Sequence, residues 1–434
     1  MSNLLDINDR LGEHAPSWYA ASAEPIETFS AAQGDFTFDV AIIGAGFSGL
    51  SSALHLSKLG FKVCVLDAHR VGWGASGSNG GQVGSGQRVA QDELEELVGD
   101  TLARQAFTIG VDAADLVRSL IKEHDINCAY RSGIIDGFHK PKYDKYGIEE
   151  VEHLRTKYDY HSVSYLSPEE MSEKVGSPDL SGGVLDTHRG HLHPLNYARG
   201  LARAAISAGA QIFELSRVTS VSGGKPCIVK TDKATIRADH VVLAANGYLG
   251  GLDKQVAGRV LPINNFIIAT EPFDDEICRA LIRDGEAVCD SRFVVNYFRI
   301  SEDNRLLFGG GENYTYKFPK DVTETARKPM LKIFPQLKNA RIDYAWGGTL
   351  AITLKRVPLF EFRRDGIINI SGYSGSGVHM ATMAGKIVAE AVNGQMGRFD
   401  VMSQLPTPKF PGGTLLRKPL LPLALTWYAL LDKL

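Results

Sequence analysis

Residues 38–49 read Phe38-Asp39-Val40-Ala41-Ile42-Ile43-Gly44-Ala45-Gly46-Phe47-Ser48-Gly49, and residues 60–67 read Gly60-Phe61-Lys62-Val63-Cys64-Val65-Leu66-Asp67. The apolar, β-branched run Asp39–Ile43 predicts a buried strand, and the apolar spacing from Ser48 to Leu59 predicts a helix that Gly60 ends. Phe61 to Leu66 predicts a second strand, closed by Asp67. The glycines of this β–turn–α–β unit each have a physical job. Gly44 permits the tight turn, Gly46 lets a pyrophosphate approach the backbone, and Gly49 lets helix and sheet pack closely. The helix start at Phe47 and Ser48 offers unpaired amides and a partial positive charge. Asp67, followed by Ala68, is placed to accept hydrogen bonds from a ribose and to repel a 2′-phosphate. The unit predicts a dinucleotide other than NADP.

Working outward, the chain has 434 residues, 44% apolar and 22% charged, which predicts two or three globular domains and excludes a disordered chain. The net charge of −3 comes without a block of five Lys or Arg, so no nucleic-acid partner is expected. Five cysteines without a C-x-x-C spacing argue against a zinc ribbon or disulfide framework and for a reducing compartment. No charged-then-apolar leader and no spanning apolar run is present, so a cytoplasmic protein without a transmembrane segment is expected.

Residues 1–36 read as an arm laid on the surface, with one aromatic spot at Trp18-Tyr19. Helices are predicted over 92–125 and 142–175 with a strand at 128–139 between them, then a helix over 194–208 and a strand near 211–216. Residues 219–231 and 235–237 read as paired strands, and 239–244 as a short buried one. Strands at 266–270, 293–300, 305–309 and 341–344 suggest an antiparallel sheet, and parallel character returns at 366–370 before a helix over 378–392. The expected fold class is α/β (α+β overall). A discontinuous Rossmann-like nucleotide domain (37–90, 185–255, 351–400) is interrupted by a mostly antiparallel β-sheet substrate domain (91–184, 256–350). A tail covers 401–434, and its apolar stretch 420–431, interrupted by Pro422, either packs on the body or makes peripheral contact with a membrane surface.

Three further stretches concern the ligand. Gly72-Trp73-Gly74-Ala75-Ser76-Gly77-Ser78-Asn79-Gly80-Gly81-Gln82 is small enough for a flat ring or a phosphate to approach, although a flexible surface loop has the same composition. His240 to Ala244 reads as a strand ending in Ala245-Asn246-Gly247. Gly372-Tyr373-Ser374-Gly375-Ser376-Gly377-Val378 opens a helix whose N-terminus can face an anion or a ring carbonyl. Together with the first unit, these residues resemble the D-amino-acid-oxidase-type FAD enzymes, which include glycine, sarcosine and related amine oxidases, over residues 15–434. The branch acting on γ-glutamylputrescine shares Trp18-Tyr19-Ala20-Ala21-Ser22-Ala23, Gly190-His191-Leu192-His193-Pro194-Leu195-Asn196, and Phe410-Pro411-Gly412-Gly413-Thr414 with Leu416-Arg417.

The resemblance implies FAD, with Gly44, Gly46, Gly49 and Asp67 at its ADP half and Val218 as a backbone contact to adenine. It places Ser76, Gly80, Gly81 and Gln82 near the flavin, Ala245 and Gly247 at the strand end, and Gly375, Gly377 and Val378 against the pyrimidine end. Ser78 departs from the Arg of GASGRNGGQ-type members. The stretch 353–358 has no Cys, so non-covalent FAD is implied. His379 stands near where sarcosine-oxidase-like members place a Lys.

The implied reaction is oxidation of a small-molecule amine by hydride transfer to flavin N5, imine hydrolysis, and reoxidation by molecular oxygen to peroxide. Only a neutral amine loses hydride, and apolar surroundings lower its pKa, so no obligatory base is expected. His379, Tyr297 and Trp346 are the catalytic candidates, and Tyr297 suits an ordinary core equally well. Arg299, with Arg88 and Arg131, is a candidate for a substrate carboxylate. His191 and His193 flank Leu192 and would share a strand face. No third ligand accompanies them, so a hydrogen-bonding role is expected rather than a metal. Trp73 is expected to stack. The alternatives are a secondary amino acid substrate such as pipecolate or sarcosine, a quinone or carrier as electron acceptor, and a non-catalytic flavin-binding regulatory protein.

Overall fold

A computed structural model describes residues 4–8, 10–313 and 315–413. Thr414, Leu416-Arg417 and the apolar stretch 420–431 lie outside the described residues.

The strand Gly34–Ile43 is the axis of the first sheet. It pairs in parallel with Val63–Leu66 on one side and Ala234–Leu243 on the other, and the parallel set continues to Gln211–Phe213 and Ile367–Ser371. Leu359–Phe362 and Cys227–Thr231 add antiparallel edges, and Val218–Ser222 pairs with the latter. Strands buried on both faces read as continuous apolar runs, and all four residues of Val63–Leu66 are buried.

The helix Phe47–Lys58 packs against Gly377–Val392 so closely that a Cβ on Gly385 would lie 2.4 Å from the Ser52 amide nitrogen. Small residues at the crossing, Ser51, Ser52, Ala381 and Ala384, permit that approach. The predicted helix over 92–125 is two helices, Gln91–Val98 and Asp100–Glu123, separated at Gly99, whose φ is +79°. Its apolar stripe (Ala103, Ala106, Ala113, Val117, Leu120) joins the core of the nucleotide half, not the substrate domain expected for residues 91–184.

The second sheet runs in the order Ile342–Ile352, Leu261–Thr270, Leu306–Asn313, Tyr297–Ile300, Ala287–Asp290, Arg131–Gly137, Gly183–His191 and Gln82–Val83, with Val163–Leu166 also on Gly183–His191. All pairs are antiparallel except Ala287–Asp290 with Arg131–Gly137. The boundary expected at 184/185 therefore falls inside Gly183–His191, whose Asp186, His188 and Arg189 hide the strand from an apolar pattern. Similarly, Val163–Leu166 interrupts the helix expected over 142–175, after Asp159 turns left-handed at φ +54°. Ile342–Ile352 outruns its expected span because Gly347-Gly348, a turn signal in sequence, serves close packing here: a Cβ on Gly347 would lie 2.8 Å from the Phe318 ring.

The N-terminal arm is more than a surface layer. Trp18 and Tyr19 start a short helix, Trp18–Ser22, and are buried with Leu195, Ile267, Leu307 and Trp346 between the two halves. Among the described residues no helix is long and apolar enough to cross a membrane, and no His/Cys/Asp/Glu group is arranged to hold a metal ion.

Candidate functional site

A cavity of about 1590 Å³ runs from the glycine turn of the first sheet to the face of the second. Its first half is built by the turn after Gly34–Ile43. Gly44 has φ +111°, and a Cβ there would lie 2.8 Å from the Ala244 carbonyl oxygen. At Gly46 a Cβ would come within 2.7 Å of Ser76 Oγ, which itself accepts the Phe47 amide at 3.0 Å. Gly49 does not line the cavity; a Cβ there would sit 1.9 Å from the Gly44 oxygen, so it serves the packing of helix on turn.

Asp67 Oδ2 accepts the Ala45 amide and Oδ1 the His69 amide, both at 2.7 Å. Burial pushes its carboxyl above the usual range while those two amides pull the other way. Ala68, Val218, Ala245 and Gly247 line the same wall. The helices Phe47–Lys58 and Gly377–Val392 both begin at the cavity, with no cap from the N-cap residue's own side chain and no acidic residue in the first turn, and only the Phe47 amide is taken by a side chain, Ser76. Each leaves an amide-rich, partly positive end toward the space. Gly375, Gly377 and Val378 line the second of these ends.

The second half is walled by Tyr297, Asn265, Gln82 and Cys289. Tyr297 donates its hydroxyl to Asn265 Oδ1 at 2.5 Å, and burial raises its phenol. Its ring occupies the space a side chain would need at Gly80 and Gly309, where a Cβ would approach to 2.6 and 2.1 Å. Cys289 Sγ donates to Gln82 Oε1 at 2.9 Å, and burial pushes the thiol up to about 12. His379, 1% exposed, lines the cavity with both ring nitrogens engaged. Nδ1 accepts the Gly84 amide at 3.1 Å and Nε2 donates to the Gly86 oxygen at 3.3 Å. Burial lowers its pKa to about 4.

Of the three candidate arginines only Arg88 reaches the cavity, beside Gly375, and among the described residues no carboxylate pairs with it. Arg131 is exposed next to Gly285, away from the cavity. Arg299 is buried, donating from Nε to the Gly80 oxygen at 3.2 Å and from Nη2 to the Leu192 oxygen at 3.1 Å, with Glu302 3.6 Å away. It holds the loop Gly72–Gln82 from behind and does not line the cavity. The reason is chemical, since a guanidinium in a fixed fork suits two buried carbonyls as well as a carboxylate.

Trp346 also lies behind the wall. It is 2% exposed and donates from Nε1 to the Ser78 oxygen at 3.1 Å. Ser78 itself faces Gly348, where a Cβ would come within 2.7 Å of its Oγ, so the spot has no room for a long side chain. Gly81, at φ +77°, is likewise a packing position against the Leu192 oxygen. His191 and His193 do not share a strand face, because the strand ends at His191. His191 Nε2 donates to the Gly285 oxygen at 2.9 Å, and His193 caps Pro194–Ser207 by accepting the Asn196 amide at 3.1 Å. Burial and the Arg299 charge lower both to about 3. Trp73 stacks on His69 at 3.7 Å with the rings 8° from parallel.

Asn265, Cys289 and Tyr248 also line the cavity but were not singled out from sequence. For Asn265 a signal exists: Asn264-Asn265 interrupts an otherwise apolar strand, and buried amides in such a run need partners. The cavity matches FAD point by point. The turn at Gly44 and Gly46 packs too tightly for any Cβ and so brings bare backbone to the cavity, two helix N-termini there suit phosphate or carbonyl oxygens, and the buried carboxylate of Asp67 borders the same space.

A family model described as FAD dependent oxidoreductase (DAO) matches residues 39–391. The chain is 40% identical over 418 residues to a probable oxidoreductase OrdL of Rhizobium meliloti (strain 1021), covering 96% of this chain and 97% of that one. It is 38% identical over 425 residues to a gamma-glutamylputrescine oxidoreductase of Escherichia coli (strain K12), covering 97% and 99%. The crystal structure of glycine oxidase from Geobacillus kaustophilus shares the fold, with a TM-score of 0.71 at 20% identity over 84% of this chain and 98% of that one.

Proposed function

The chain belongs to the DAO family of FAD-dependent oxidoreductases, and on that premise we propose that it oxidises the amine of a γ-glutamylated diamine such as γ-glutamylputrescine, in the cytoplasm, with FAD held non-covalently. The observation that carries this reading is the near-full-length similarity to a gamma-glutamylputrescine oxidoreductase. Arg88 supports it from the geometry, because a γ-glutamyl group bears a carboxylate and a cavity guanidinium that pairs with no carboxylate among the described residues can bind one bidentately.

Bound FAD supplies the acceptor for the hydride that leaves the carbon beside the amine nitrogen. The chain's own task is to present a neutral amine. An alkyl amine resembles Lys, with a pKa of about 10.4, and transfer out of water lowers it. Tyr297, Asn265, Gln82 and Cys289 add no formal charge to the second half, since burial keeps the phenol and the thiol protonated, and the charges that also line the cavity include the Arg189–Asp136 ion pair. His379, neutral above about pH 4 and bonded at both nitrogens, positions the backbone of residues 84–86 and takes no proton from substrate. Overall, amine, oxygen and water give aldehyde, ammonia and hydrogen peroxide.

The test is anaerobic bleaching of the holoprotein's flavin absorbance by γ-glutamylputrescine, putrescine, pipecolate and sarcosine. Fastest bleaching by the γ-glutamyl amine, reversed by air with release of peroxide, supports the reading. Bleaching by a cyclic or N-methyl amino acid alone replaces the substrate. Air that fails to restore the bands while a quinone does replaces the acceptor.

A further inference from the structure

Leu4 is buried, yet it belongs to none of the apolar core clusters formed by the described residues. With Leu5 it lines the large cavity, at the end marked by Ala68 and Val218. On the far side of this segment lies a second hollow of about 230 Å³, and Leu5, Ala68, Arg217 and Asp232 border both spaces. The segment is thus a thin partition with open volume on each side, and Leu11, 67% exposed, adds no apolar anchor.

Polar latches hold it. His69, fully buried, donates from Nε2 to the Leu5 oxygen at 2.8 Å and accepts the Gly12 amide on Nδ1 at 3.2 Å. Arg70 Nε donates to the Gly12 oxygen at 3.2 Å, and Arg217 pairs with Asp6 at 3.1 Å. Asn8 reaches the other half of the molecule. Its Nδ2 donates to the Tyr316 oxygen and its Oδ1 accepts the Phe318 amide, both at 2.8 Å. His69 also stacks on Trp73, a cavity-lining ring, so the latch is continuous with the cavity wall.

We propose that residues 4–8, with the return through Gly12, form a strap that closes the adenosine end of the FAD cavity, and that its polar latches together set how fast the cofactor leaves. A partition bordered by two hollows gains little from dispersion contacts, so its hydrogen bonds decide whether it stays down. The inference rests on the family's cofactor and is independent of the amine substrate.

The experiment compares the full chain with a deletion of residues 1–12 and with the double variant Asp6→Ala/Asn8→Ala. FAD release from each holoprotein is followed by the rise of free-flavin fluorescence after dilution. ADP, which occupies only the nucleotide end, is titrated into each apoprotein. The deletion is expected to release FAD at least tenfold faster and to weaken ADP by a similar factor, and the double variant about threefold in each. Release at the full chain's rate, or faster release with unchanged ADP affinity, overturns the proposal. Where the deleted chain does not fold, the double variant decides alone by the same two readings.

Discussion

His379 and Gly84 are joined by a backbone amide donating to Nδ1 at 3.1 Å, which fixes the imidazole proton on Nε2, where it meets the Gly86 oxygen. The ring therefore works as a neutral brace for a cavity-lining turn. His379→Ala orphans an amide and a carbonyl, and opens a void. A loss of about 2–4 kcal/mol in stability is expected, read by denaturant unfolding of the holoprotein. A variant as stable as the parent would return His379 to the chemistry.

The same brace makes stability depend on acid. The folded pKa of His379, about 4, lies below the ordinary value of 6.5, so the unfolded chain binds the proton first as pH falls. Its contribution is full above pH 6.5 and is lost as pH drops from 6.5 through about 4. The total is about 3 kcal/mol from this one group. Thermal melts from pH 7 to pH 4 are expected to slope less steeply for His379→Gln than for the parent. Parallel slopes would contradict the neutral brace.

Gly46→Val places a branched side chain where even a Cβ would lie 2.7 Å from Ser76 Oγ. The expected product is a folded protein with at least tenfold less FAD per chain, measured from the ratio of flavin to protein absorbance. Normal FAD content would refute the cradle.

Arg88→Ala is expected to raise KM for γ-glutamylputrescine roughly tenfold to a hundredfold, corresponding to about 1.5–3 kcal/mol for a charge-assisted hydrogen bond. Turnover of putrescine, which lacks a carboxylate, is expected to change less than twofold. Equal effects on both amines would place Arg88 against the cofactor instead.

Arg299→Met removes the donors to the Gly80 and Leu192 oxygens, and also a cation 5.9 Å above the Tyr19 ring. Lower stability by about 2–4 kcal/mol with a little-changed KM is expected. A large KM effect in a stable variant would restore the substrate role.

What could be read from sequence was local. The turn at Gly44, Gly46 and Gly49 was legible because its spacing falls between one strand and one helix, although only Gly49 answers to atoms of that unit, Gly44 meeting Ala244 and Gly46 meeting Ser76. Asp67 was legible because it ends that unit's second strand. The bracing contacts of Arg299 were not legible because its partners, Gly80 and Leu192, arrive from distant segments and a buried guanidinium looks the same in sequence as a binding one. Gly183–His191 was hidden by charged residues whose partners lie on other strands, such as Arg189 with Asp136. Leu4 and Leu5 carried no signal, since their role comes from where the latch of His69 holds them.

The axial strand Gly34–Ile43 has its partner Ala234–Leu243 far downstream. With translation at about 5–20 residues per second, the roughly 200 residues between them take about 10–40 s to synthesise. During that interval the strand Val40–Ile43 can hydrogen-bond only on its Val63–Leu66 side, and an apolar edge of that kind templates aggregation. Production of this protein in a cell is therefore expected to depend on nascent-chain chaperones and on elongation rate. Its glycine turn, though encoded near the start, becomes a binding site only when most of the polypeptide has left the ribosome.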